Sequence, residues 1–431
     1  MRIALVASQS SSPRPRGAAD HSQRVTSLAE ALGRLGHQVT LYAPNGSPAQ
    51  PAKATLGPGV TVEHLPAGPA GSRRPSGDEP ALDIPVFSDH LARRWRQNPP
   101  DVAHAHFWTS GLAALAGARG LNLPVVQTFQ SLGAPADGSH RKADVSRPAR
   151  GSRRASDAAG RRQDTGHQLA QVRLQVCLAR NANAVLATSS EQMAKLAGLG
   201  VPRASIRVVP WGVDTGRFAP EGPVAKRNGR PRLLAVRQSA DEPGLDTVIR
   251  ALAEVPDAEL LIAGGPSGSG PANQDLAGLA RDLGVADRIT FTGDVSRTHL
   301  PALLRSADVL LSGEWEDPSG TVALQAMACG TPVAASVDGV VGDAVIDGTT
   351  GFLVPPGQPS ALARRIRHLF ASPMQLEAFS IAAVDRARSR YSWDRIGRET
   401  VQAYERCLPH QFPATDEHEP EAEDADSSLE G

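Results

Sequence analysis

The sequence predicts an α/β protein built from two doubly wound, Rossmann-like domains that face each other across a central cleft. Three observations predict it. Short apolar runs alternate with amphipathic helical stretches almost from end to end, as a largely parallel sheet with crossover helices requires. The alternation breaks at a junction rich in Pro, Gly and Lys/Arg, Pro210 to Arg232, and then starts again. The chain has 431 residues, enough for two domains that each bury their own core.

The elements follow in order. Ile3 to Ala7 reads as a buried strand, and Val25, Leu28, Ala29 and Leu32 mark one face of the next helix, which ends near Gly36. Strands are then expected at Val39–Tyr42, Val60–His64, Val102–His106, Val125–Phe129, Ala184–Thr188 and Ile206–Val209. After the junction, Leu233–Val236 opens the second set, and Leu245, Val248, Ile249 and Leu252 form an i, i+3, i+4, i+7 stripe. Leu260–Ala263, Ile289–Thr292, Val309–Ser312 and Pro332–Ala335 complete it. The expected division is 1–210 for the first domain, 211–390 for the second and 391–408 for a closing helix. Two stretches lack periodicity and read as mobile. Residues 139–162 carry eight Lys/Arg against two Asp, and the tail, 411–431, has eight Asp/Glu and no Lys/Arg from Thr415 onward.

Bulk composition excludes several classes. Formal net charge is zero and aromatics are 4%, so neither a basic field nor stacking platforms for nucleic acid are expected. Cys177, Cys329 and Cys407 have no metal-type spacing and read as reduced thiols. The opening apolar run is too short for a signal peptide, and no segment approaches the roughly 20 apolar residues of a spanning helix. These features predict a soluble, cytoplasmic protein.

Ligands bind beyond the carboxyl ends of strands in open parallel sheets. Applied here, that rule selects His104, His106, Phe129, Gln130 and 188–191 in the first half. In the second half it selects Arg237, Gly264, Gly265, Gly293, Asp294 and 314–321. The richest segment is Glu314-Trp-Glu-Asp-Pro-Ser-Gly-Thr-Val-Ala-Leu-Gln-Ala-Met-Ala-Cys-Gly-Thr-Pro-Val333. A helix is expected from Ser319, as N-cap, to Gly330, with amides at Gly320, Thr321 and Val322 facing an anion or sugar hydroxyls. Gln325 falls one turn after Thr321 on the same side. An ordinary capped helix, with Asp317 favouring its dipole, fits the segment equally well.

This stretch resembles the donor-binding motif of the family 4 retaining glycosyltransferases, which have the GT-B fold. Further motifs agree: Asp101-Val-Ala-His-Ala-His-Phe-Trp108, Val208-Val-Pro-Trp-Gly-Val-Asp214, Leu261-Ile-Ala-Gly-Gly-Pro266, Asp347-Gly-Thr-Thr-Gly-Phe-Leu-Val-Pro-Pro356 and Tyr391-Ser-Trp-Asp394. The resemblance runs from Met1 to about Leu408. Within the family, the members that add N-acetylglucosamine to inositol 3-phosphate in mycothiol synthesis look most alike. The resemblance implies a nucleotide-sugar donor such as a UDP-sugar, a small hydroxyl acceptor, an acceptor domain followed by a donor domain, and a final helix returning to the first. No metal or other cofactor is implied.

Roles carry over residue by residue. Arg237 matches the arginine that grips the donor diphosphate. Asp317 and Gln325 match two glutamates, the first near the sugar hydroxyls and the second on the ribose. The backbone of Ser319, Gly320, Thr321 and Val322, with Gly293, is implied in donor binding. Gln130 stands where a histidine contacts the sugar near its anomeric centre. His106 is either an acceptor-side residue or a structural histidine at a strand end. The departures cluster at the same place: no lysine follows Arg237 before Gly244, Arg16–Gln23 replaces a glycine-rich loop, and Asp317, Gln325 and Gln130 are all exchanged. An active transferase is the leading expectation. The alternative is a catalytically impaired relative that binds nucleotide sugars or regulates a partner.

Overall fold

The computed structural model describes residues 1–7, 21–45, 50–68, 82–130, 132, 169–237, 244–265, 271–312, 320–336 and 339–408. The basic segment 139–162 and the acidic tail lie outside the described residues, as do Asp317, Ser319 and 238–243.

Two separate sheets form. The first comprises β1 (Arg2–Ala7), β2 (Gln38–Pro44), β3 (Lys53–Gly57), β4 (Val60–Leu65), β5 (Val102–His106), β6 (Val125–Thr128), β7 (Ala184–Ala187) and β8 (Ile206–Val208). Its order is β3-β4-β2-β1-β5-β6-β7-β8, parallel throughout except for β3. The second comprises β9 (Arg232–Val236), β10 (Glu259–Ala263), β11 (Ile289–Gly293), β12 (Val309–Ser312), β13 (Val333–Ser336) and β14 (Gly351–Val354). Its order, β11-β10-β9-β12-β13-β14, is the doubly wound one, with the reversal between β9 and β12. The first sheet reverses in the same way between β1 and β5.

The apolar strands are central because helices cover both faces of each sheet. On the first they are α1 (His21–Arg34), α2 (Ile84–Gln97), α3 (Trp108–Gly117), α4 (169–181) and α5 (Ser190–Gly198). The stripe of α1, Val25, Leu28, Ala29 and Leu32, is buried against β1 and β2. On the second they are α6 (Leu245–Ala253), α7 (Pro271–Asp282), α8 (Leu300–Arg305), α9 (Thr321–Ala328), α10 (Gly339–Ala344) and α11 (Pro359–Phe370). The stripe of α6 is at most 4% exposed, each side chain contributing roughly 1.5–3 kcal/mol as an upper estimate. A buried ion pair, Arg232 Nε to Glu259 Oε1 at 2.6 Å, ties β9 to β10, and Arg232 also donates to the Ser306 hydroxyl at 2.9 Å.

The chain crosses between sheets twice. Val213 donates to the Tyr391 carbonyl at 2.8 Å where the outgoing strand of chain runs beside the junction of α12 (Pro373–Tyr391) and α13 (Trp393–Glu405). Helix α13 then packs on α1, as the expected closing helix does. Its Tyr404 hydroxyl meets His104 Nδ1 at 2.7 Å, and Arg34 pairs with Asp394 at 2.9 Å. Gly212 makes this crossing tight, since a Cβ there would come within 2.6 Å of the Trp393 ring.

Three expectations change. β3 was not expected; it is an antiparallel edge strand with no fully buried side chain, so it lacks the apolar signal. β14 was not expected as a strand either. The helix after β12 starts one residue later than the Ser319 cap predicts: Gly320 is the N-cap, at φ 61°, where any Cβ would press on Val340 at 2.8 Å. Among the described residues no helix is long and apolar enough to cross a membrane, and the three cysteines are unpaired.

Candidate functional site

Both reversal points open on one cleft. The helix that follows β1 and the helix that follows β12 bring their first turns together there. Gln23, Arg24 and Ser27 of α1 face Thr321 and Gln325 of α9 across a cavity of about 80 Å³. Gly212 to Asp214, Arg217, Phe218, Arg297, Leu300 and Trp393 complete its lining. The two halves also touch outside the sheets: Arg297 Nη1 donates to Gln23 Oε1 at 2.8 Å, and the Ser190 backbone amide donates to Asp343 Oδ2 at 2.6 Å.

Arg237 follows β9 at the reversal point and is only 4% exposed. Its amide donates to the Ala263 carbonyl at 2.6 Å, and the Gly264 amide donates to the Gly293 carbonyl at 2.8 Å, so three strand ends are laced side by side. The side chain runs across Gly265, where a Cβ would come within 2.8 Å of Arg237 Cδ, and Nη1 donates to Asn273 Oδ1 at 2.5 Å. Gly264 and Gly265 adopt φ 91° and 81°, which glycine alone takes without strain. A planar, permanently charged fork is therefore fixed at the strand ends, the geometry suited to phosphate oxygens.

The structure brings Thr321 and Gln325 together on the cleft side of α9, as their spacing predicts. The Gln325 Oε1 atom is buried and has no hydrogen-bond partner among the described residues. Gly320 is buried, and the Val322 side chain belongs to the apolar core. Gly293 caps β11 at φ 66°. Gln130, two residues past β6, has both amide atoms buried without partners among the described residues. Neither Asp317 nor Ser319 is among the described residues.

His106 lines a small cavity together with His104, Thr128, Thr188 and Trp211. It is 0% exposed, stacks on His104 and Trp211 with ring centroids 4.2 and 5.7 Å away, and neither ring nitrogen has a partner among the described residues. Burial pushes its pKa down to about 3, and pushes that of His104 well below the usual value. Both imidazoles are thus neutral and enclosed. Beside them Phe107 holds φ 73°, a strained conformation for a bulky residue that re-aims the chain at the strand end.

The sequence did not single out Arg24, Trp211 or Arg297. Arg24 is 5% exposed, and its guanidinium carbon lies 5.3 Å from the Trp211 ring centroid. An arginine within the buried stripe of an amphipathic helix was the available signal.

Residues 21–212 match the family Glycosyl transferase 4-like domain, and residues 221–386 match Glycosyl transferases group 1. A D-inositol 3-phosphate glycosyltransferase of Mycolicibacterium gilvum is 32% identical over 88% of this chain and 82% of its own length. The enzyme of that name from Actinosynnema mirum is 31% identical over 88% and 90%. Among solved structures, the sucrose-phosphate synthase of Thermosynechococcus elongatus superposes with a TM-score of 0.72 at 24% identity, covering 94% of this chain and 98% of that one. Anabaena HepE, solved with UDP-glucose, gives 0.65 at 17% identity over 94% and 99%.

Proposed function

This chain belongs to the family 4 glycosyltransferases of the GT-B fold, and we propose that it moves a sugar from a nucleotide-diphosphate donor to a small hydroxyl acceptor with retention of anomeric configuration. The observation that carries the reading is Arg237, a nearly buried cation fixed at the reversal point of the second sheet by Gly265 and Asn273. Breaking the bond from sugar to diphosphate develops negative charge on the departing group, and a preorganised cation stabilises that charge more than it stabilises the ground state. Gln325 hydrogen-bonds the ribose hydroxyls, and Thr321 with the backbone of 319–322 receives the sugar. Gly293 borders the nucleotide and Gln130 faces the anomeric carbon; the family motif assigns Asp317, which lies outside the described residues, to the sugar hydroxyls. His106, packed beside Trp211 at the edge of a small cavity, braces that ring on the acceptor side. The relatives' names support an inositol phosphate as the first acceptor to try.

A charge-assisted contact is worth roughly 1.5–3 kcal/mol. Arg237→Ala is therefore expected to weaken nucleoside diphosphate binding by at least about tenfold while the protein still melts cooperatively. Calorimetric titration with UDP, ADP and GDP measures this. Unchanged affinity for whichever nucleotide binds the unmodified protein rejects Arg237 as the diphosphate cation.

A further inference from the structure

We infer that the first half of the chain holds one structural water, bound by His106 where both crossings between the sheets meet the strand ends. The inference rests on an unmet hydrogen-bonding demand beside a space of matching size. His106 is 0% exposed, and neither ring nitrogen has a partner among the described residues. Burial keeps the ring neutral, so one nitrogen carries a proton to donate and the other a lone pair to accept. Folded chains leave very few buried polar groups in that condition, and ordered water satisfies most that the protein itself does not.

The cavity that His106 lines has a volume of about 10 Å³ and is also bounded by His104, Thr128, Thr188, Trp211 and Thr400. That is room for a single water and far too little for a sugar or a nucleotide. No charged side chain is among its described lining residues, so a neutral molecule suits it better than an ion. Three hydroxyls around it keep acceptor capacity. Thr400 donates to the Ile396 carbonyl at 2.8 Å, Thr188 makes only a long contact of 3.5 Å to Gln192 Oε1, and Thr128 meets His104 Nε2 at 2.8 Å. His104 is already satisfied, since its Nδ1 meets the Tyr404 hydroxyl at 2.7 Å. Of the two imidazoles, His106 is therefore the one with nitrogens to offer. Thr128 ends β6, Thr188 follows β7, Trp211 lies on the outgoing crossing and Thr400 on α13. A water bonded to His106 and to these hydroxyls fastens the sheet to the returning helix, away from the proposed donor contacts of α9.

A high-resolution crystal structure of the full chain tests the site. Density for a water is expected within roughly 2.7–3.2 Å of one His106 ring nitrogen and close to at least one of the three hydroxyls. A cavity without density, or a His106 ring bonded to protein atoms through both nitrogens, overturns the inference. Oxygen-17 relaxation dispersion gives the solution counterpart, because it counts waters held longer than the protein tumbles. The count is expected to fall by about one in His106→Leu and to stay unchanged in Ser205→Ala, which removes a hydroxyl remote from the cavity. Thr188→Val leaves the imidazole in place and is expected to shorten the water's residence time, so a solution test survives if His106→Leu fails to fold. An unchanged count in His106→Leu, or an unchanged residence time in both Thr188→Val and Thr400→Val, overturns the site.

Discussion

Replacing Gly265 by alanine should disable nucleotide binding without removing any side chain that touches the ligand. The new Cβ would lie 2.8 Å from Arg237 Cδ, 3.2 Å from Nε and 3.3 Å from Nη1. All three contacts are closer than van der Waals spacing, so the guanidinium has to leave its place and its 2.5 Å bond to Asn273. The backbone at φ 81° adds about 1–2 kcal/mol of left-handed strain. The stiffer unfolded chain offsets about 0.4–1 kcal/mol of that. Stability should fall by about 1–3 kcal/mol once the displaced charge is included. Losing the oriented fork removes most of a contact worth roughly 1.5–3 kcal/mol, so nucleoside diphosphate affinity should fall about 10- to 150-fold. Gly284→Ala is the control: its φ is 67°, and a Cβ there meets nothing within 4 Å. It should lose comparable stability in urea denaturation and no affinity. If Gly265→Ala binds nucleotide as the unmodified protein does, or if both alanines weaken binding equally, Arg237 is not held for this purpose.

Two further outcomes concern the frame around the site. Glu259→Ala leaves the Arg232 guanidinium buried without its carboxylate, and should cost about 3–5 kcal/mol in urea denaturation; the double change to Arg232→Met and Glu259→Leu should cost far less. His106 titrates at about 3 in the folded chain, far below its unfolded value, so the stability it contributes is present above about pH 6.5 and is lost as pH falls from there. Each pH unit between those values should cost about 1.4 kcal/mol through this group, and His106→Gln should flatten the slope of stability against pH by that amount.

Much of the fold was legible because its strands are buried on both faces. Leu233–Val236 and Leu260–Ala263 sit between helices, so they read as continuous apolar runs. β3 escaped because an exposed edge strand needs no such run. The start of α9 was misplaced by one residue because serine is a good cap in isolation, whereas the packing of Gly320 against Val340 is visible only in the fold. Arg237 could be found by combining the strand-end rule with the family motif. Its support by Gly265 and Asn273 could not, since Asn273 lies in a helix 36 residues away. The bond between His104 and Tyr404 spans 300 residues, and the pairing of Arg24 with Trp211 spans the whole first sheet. Neither leaves a local pattern. The enclosure of His106 follows from those same contacts, which is why its neighbourhood reads differently in three dimensions.

The central claim, retaining transfer from a nucleotide-diphosphate sugar, is tested most directly by proton NMR of the purified chain with α-linked nucleotide sugars and an inositol phosphate acceptor. Release of nucleoside diphosphate is expected together with a product whose new linkage is again α. With the glutamates and lysine of the family motif absent, turnover below the roughly 1–1,000 per second of typical enzymes is expected. A β-linked product would contradict retention, and a full panel of nucleotide sugars left unconsumed would contradict the transferase reading itself.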